Sequence, residues 1–104
     1  MLISRLLGPI VPFLTFSDDG EAVEQANNTL MGLGASVWSG SVERANKIAR
    51  QLQAGNIWVN THFELDPRFP FGGHKESGMG VEWGIGGLKS FCNSQTLFLK
   101  RAID

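Results

Sequence analysis

Asn-Ile-Trp-Val-Asn-Thr-His-Phe-Glu-Leu-Asp-Pro-Arg-Phe-Pro-Phe-Gly-Gly-His-Lys-Glu-Ser-Gly-Met-Gly-Val-Glu, from Asn56 to Glu82, decides how the 104-residue chain is read. Ile57-Trp58-Val59 is a continuous apolar run of β-formers, as expected of a strand buried on both faces. Pro67 and Pro70 then break the chain into a loop, and Pro70 to Gly80 spells Pro-Phe-Gly-Gly-x-Lys-x-Ser-Gly-x-Gly. Seven of the chain's 13 glycines (72, 73, 78, 80, 84, 86 and 87) fall between Gly72 and Gly87. Each glycine costs conformational entropy on folding, so such a cluster implies a backbone folded closely around something.

Upstream of that strand, Ala54-Gly55 reads as the end of a helix, with glycine at the left-handed C′ position. The helix starts near Ser41. Val42, Ala45, Ile48, Ala49 and Leu52 form its inner stripe, and Glu43 lies four residues before Lys47. Ala35-Ser36-Val37-Trp38 is a short strand before it. An earlier helix starts with Asp18 as N-cap and Glu21 three residues on, carries Ala22, Val23, Ala26 and Leu30 on one face, and is stopped by Gly32. Ile10 to Phe16 is apolar and strand-like, with Pro12 pushing it toward a sheet edge. The order over 8–60 is βαβαβ, an α/β class of fold with parallel strands and right-handed crossovers. Residues 61–83 form a loop and glycine turn. Residues 84–104 hold a short helix, Gly84 to Phe91 with Leu88 and Phe91 inward, and a last strand, Thr96 to Leu99. That strand has to pair with an edge of this sheet or with another chain.

Composition narrows the function classes. A length of 104 residues is enough for one modest core, and a net charge of −1 gives no case for nucleic acid or an anionic membrane. The single cysteine, Cys92, leaves no internal disulfide and points to a reducing, cytoplasmic setting. Met1 to Leu14 superficially resembles a signal peptide, but Pro9 and Pro12 interrupt it and no small-residue cleavage site follows. A buried strand is the reading taken there. No segment approaches membrane-spanning length.

Several spaced motifs together resemble the C-terminal end of the NAD(P)-dependent aldehyde dehydrogenase superfamily. They are Gly8-Pro9, the βαβαβ order, Ala54 to Asn60, Pro70 to Glu82, and Gly-Leu-Lys-Ser-Phe from Gly87. The resemblance implies that Phe71 lines an aldehyde pocket edged by Thr61, His62, Phe63 and Leu65. It implies that the Glu and Phe of a Glu-x-Phe-Gly-Pro element, which hold the nicotinamide riboside, are replaced here by Arg5 and Leu7. Val81 stands where many members have Arg. The terminal strand resembles the family's oligomerisation strand, so a homo-oligomer is expected. The family's nucleophilic Cys, general-base Glu, oxyanion-stabilising Asn and dinucleotide-binding domain lie upstream of the matching segment. Cys92 does not take the nucleophile's place, and a structural thiol is its expected role. On this reading no cofactor is bound by the chain itself, NAD or NADP belonging to a full-length parent.

Other candidate chemistry comes from the residues alone. His62, Glu64 and Asp66 alternate, so an extended backbone would put them on one face as metal ligands or an acid–base set. Solvated loop residues are the plainer reading, since no further ligand cluster follows. His74 and Lys75 at the glycine turn could meet an anion, against a plainer role as surface charge. Gly78 to Trp83 fails as G-x-G-x-x-G, because position 83 is Trp and no strand precedes it. Trp38, Trp58 and Trp83 read as core and interface aromatics rather than a base-stacking platform.

Three functions follow as expectations. The chain is a segment of an aldehyde dehydrogenase that cannot oxidise aldehydes alone; or a stand-alone fragment that binds a small apolar molecule or catalyses an isomerisation or cyclisation; or an interaction partner of a full-length homologue. The start at Met1 with changed Arg5 and Leu7 tilts the expectation toward an independent or decayed chain rather than a cleaved active enzyme.

Overall fold

In the computed structural model, which describes residues 8–102, the elements follow as α1 (Asp19–Asn27), β1 (Met31–Gly32), β2 (Gly34–Val37), α2 (Val42–Ala49), β3 (Asn56–Val59), β4 (His74–Lys75) and α3 (Gly84–Ser90). Local chemistry explains the two longer helices. The Asp18 carboxylate accepts a hydrogen bond from the Glu21 amide, and the Ser41 hydroxyl accepts one from the Arg44 amide, each satisfying a free N–H of a first turn. Glu21 reaches back one residue further than a capping box requires, accepting from the Ser17 amide and hydroxyl.

β2 and β3 pair in parallel, Ala35 beside Ile57 and Val37 beside Val59, with α2 as the crossover packed on both. Val37, Ala45 and Ala49 are buried, Ala45 with 0% exposure, and Ile48, Leu52, Ile57 and Val59 close around them. Alanine at 45 and 49 lets the helix lie against the sheet without a gap. β1 and β4 form a second, antiparallel pair, Met31 opposite Lys75 and Gly32 opposite His74, which clips the glycine turn to the end of α1.

Several sequence expectations differ from this structure. Residues 10–16 form no strand. Pro12 lacks a donor, no neighbour pairs with the segment, and Phe13 is 94% exposed. The βαβαβ unit therefore reduces, among the described residues, to a β2–α2–β3 unit with a helix before it. Thr96 to Leu99 forms no ladder among the described residues, and Phe98 is 91% exposed. α1 ends at Asn27, before Gly32, and α2 ends at Ala49, before Gly55, which has no positive φ. Gly55 is needed for closeness instead: a Cβ there would lie 1.8 Å from the Gly72 carbonyl oxygen. Val42 faces solvent, and Leu88 and Phe91 point outward, because Gly87 is the α3 residue that packs, with no room for a Cβ beside Glu82. Glu43 and Lys47 form no ion pair; Arg44 instead grips Asp19 with two guanidinium nitrogens, tying α2 to α1.

The chain exposes 9222 Å² of surface, against roughly 5,800 Å² for a compact monomer of its 11.4 kDa. Its radius of gyration is 19.9 Å, against roughly 13 Å for a compact domain of this length. Among the bare apolar side chains are Phe13, Leu97, Phe98 and Leu99 of the two arms.

Candidate functional site

Side chains alternate across a strand, so the burial of Val37, Ile57 and Val59 against α2 sends Ser36 and Trp58 to the opposite face. Ser36 and Trp58 are register partners there. The Trp58 ring spreads over Gly34, whose missing Cβ would otherwise meet its Cζ3 at 2.7 Å. The candidate site is built on this face.

The chain leaves β3 through Asn60, at φ 55°, a left-handed conformation that Asn tolerates better than most residues. Its side chain clasps the Ser39 backbone, Oδ1 accepting from the Ser39 amide at 2.8 Å and Nδ2 donating to the Ser39 carbonyl at 3.0 Å. The turn brings His62 and Phe63 back over Trp58. The His62 ring meets Trp58 edge-on at 5.4 Å between centroids, and Phe63 lies 6.1 Å from Trp58 and 6.2 Å from His62. The Ser36 hydroxyl and His62 Nδ1 share a hydrogen bond. Trp58 Nε1–H donates to the Glu64 carbonyl at 2.8 Å, and the Thr61 hydroxyl donates to the Glu64 carboxylate at 2.7 Å.

A second aromatic pair stands at the far end of the loop. Phe71 exchanges two backbone hydrogen bonds with Glu82, both 2.8 Å, and its ring lies 5.6 Å from Trp83. Leu65, Phe69, Phe71 and Trp83 line a recess of about 90 Å³ between the two. Asn56 holds the loop's end, donating from Nδ2 to the Gly72 carbonyl at 3.0 Å. Trp83 has φ 59° and ψ 179°, a region close to glycine-only, so this corner carries backbone strain of about 1–3 kcal/mol.

The structure thus places Thr61, His62, Phe63, Leu65 and Phe71 along one loop. It does not bring His62, Glu64 and Asp66 together. Alternation needs an extended backbone, and Phe63 at φ 58° breaks it. Each of the three turns to a different partner: His62 to Ser36, Glu64 to Thr61, Asp66 to Arg68. The Arg68 guanidinium holds the Asp66 carboxyl below the usual carboxylate range. Among the described residues no three His, Cys, Asp or Glu side chains are grouped as metal ligands. Lys75 is committed elsewhere, donating to the Asn27 and Thr29 carbonyls at the C-terminal end of α1, where a cation suits the helix dipole. Cys92 is exposed and its thiol turns to the Leu88 carbonyl. Arg5 and Leu7 lie outside the described residues. The sequence reading names Ser36 and Asn60 as strand residues and gives them no site role. Strand parity counted from Val37 could have found the first, and the Asn after an apolar strand the second.

Among the described residues no helix is long and apolar enough to cross a membrane. The model of the aldehyde dehydrogenase family matches residues 4–97. An aldehyde dehydrogenase from a Fusarium species is 47% identical over 92 residues, 88% of this chain and 20% of the relative. Phenylacetaldehyde dehydrogenase from Pseudomonas fluorescens is 39% identical over 99 residues, 95% of this chain and 20% of the relative. Among solved structures, a betaine aldehyde dehydrogenase point mutant from Staphylococcus aureus, in complex with NAD+, superimposes with a TM-score of 0.83 at 33% identity, covering 86% of this chain and 18% of that one. The chain spans about a fifth of the length of these curated relatives. It belongs to the aldehyde dehydrogenase family.

Proposed function

We propose that this segment forms one wall of the aldehyde pocket in a longer enzyme that oxidises an aldehyde to a carboxylate with NAD or NADP. The observation that carries the reading is the aromatic loop. Trp58 near the end of β3 with Phe63 after it, and Phe71 with Trp83 at the loop's far end, make two aromatic pairs flanking one strained, heavily tied loop. Such a wall orients an apolar aldehyde and excludes water from it. Phe71 is the substrate contact, with Phe63, His62, Thr61 and Leu65 along the rim.

Among the described residues nothing is built as a dinucleotide cradle. Gly78 and Gly80 have positive φ, but their turn runs into the Glu82 pairing with Phe71 rather than from a strand into a helix N-terminus. On this reading the cofactor and the reacting groups belong to the remainder of the longer protein, of whose relatives this chain spans about a fifth. This segment acts by shape, and by the contact surface of its arms. The residue 96–99 arm pairs with a second copy, supported by its bare apolar side chains and unpaired backbone. A cytoplasmic setting goes with the lone exposed thiol.

The test is co-expression with the upstream four-fifths of the Fusarium relative, following NAD+ or NADP+ reduction by an aromatic aldehyde. Phe71→Ala should raise KM several-fold while kcat falls less. An unchanged KM would remove Phe71 from the pocket.

A further inference from the structure

Ser36 is the one polar side chain of β2 on the pocket-loop face, directly beside Trp58 in register. Its hydroxyl has a single partner, His62 Nδ1, 26 residues on. Among the described residues no other group accepts the hydroxyl proton. When the hydroxyl donates to Nδ1, that nitrogen carries a lone pair, and in the neutral imidazole the ring proton is on Nε2, the opposite edge. The same bond stops the ring from rotating about its Cβ, which the edge-on contact with Trp58 also opposes.

We propose that Ser36 is a positioning residue of the pocket wall: it selects the Nε2–H tautomer of His62 and holds the ring on Trp58, so that a mostly aromatic wall presents one N–H donor. Its place in a substrate pocket rests on the function proposed above, but the tautomer does not. His62 is exposed on the loop, so the donor edge is open to an acceptor oxygen from outside the chain.

The experiment is a long-range nitrogen–proton NMR spectrum of the full chain with 15N-labelled histidine, taken where the rings are neutral. His74 is the other histidine, and in the structure it makes no side-chain hydrogen bond within the described residues, so it reports the free tautomer mixture. His62 should show a pyridine-like Nδ1 and a pyrrole-like Nε2. Ser36→Ala should return it to the mixture of His74, and Ser36→Thr, which keeps the hydroxyl, should restore the single form. A wild-type His62 spectrum matching His74, or one unchanged by Ser36→Ala, would overturn the proposal. The wild-type spectrum decides the matter even if Ser36→Ala does not fold. None of these readouts needs turnover, so failure of the enzyme assay would count against the pocket reading and leave the tautomer result standing.

Discussion

Gly55→Ala tests how tightly the loop of residues 61–83 is seated on the sheet. A Cβ at Gly55 would sit 1.8 Å from the Gly72 carbonyl oxygen and 2.8 Å from its carbon. Reaching an ordinary carbon–oxygen contact of about 3.3 Å means moving two backbones apart by roughly 1.5 Å. Neither is free to move. Gly72 accepts from Asn56 Nδ2 at 3.0 Å, and the Gly55 amide donates to Gly32 at 3.0 Å. Overpacking costs about 1–3 kcal/mol and each lost hydrogen bond about 0.5–1.5 kcal/mol, so the variant should lose roughly 2–5 kcal/mol. Urea unfolding followed by tryptophan fluorescence reads this as a midpoint at least ~0.7 M lower, or as a chain unfolded in water. Gly86→Ala is the control. It lies within α3 with nothing near a new Cβ, and should gain about 0.5–1 kcal/mol. A Gly55→Ala loss below about 0.5 kcal/mol would refute the close approach as the reason for that glycine.

Further outcomes follow from other residues. Asn60→Ala should cost about 2–3 kcal/mol through two lost bonds to Ser39 and a left-handed backbone, whereas Asn60→Gly should cost less; equal losses would argue against the backbone part. Asp19, Glu21 and Asp66 have lowered pKa values, from the Arg44 guanidinium, the Ser17 hydroxyl and the Arg68 guanidinium respectively. Depressed carboxyls stabilise the fold above their unfolded values and lose that effect as pH falls through the folded ones. The urea midpoint should therefore hold from pH 7 to about 5 and fall below about 4, and a midpoint still level at about pH 2 would contradict those contacts. Light scattering at micromolar concentration should show a dimer or larger, since so much apolar arm is bare; a clean monomer would count against the strand 96–99 pairing.

How much of this was legible in the sequence varies with how local the cause is. The cap at Asp18, the start at Ser41 and the parallel pairing of β2 with β3 rest on neighbouring residues and short connections, and were readable. Residues 10–16 and 96–99 have strand-like side chains, but a strand exists only when its backbone finds a ladder, and that partner is not encoded in the segment. Gly55 shows a different limit. A glycine that ends a helix and one that makes room for a carbonyl look alike until Gly72 is seen beside it. The expected face of His62, Glu64 and Asp66 failed because one residue, Phe63, leaves the extended region. β1 and β4, two residues each, carry no periodicity to read.

The most direct test of the account is aldehyde oxidation in three samples: this chain alone, the upstream four-fifths of the Fusarium relative alone, and the two co-expressed. A segment that supplies a pocket wall predicts NAD(P)H formation in the third sample and none in the first two. Turnover by this chain alone, or a co-purified complex with both pieces folded and no turnover, would contradict it.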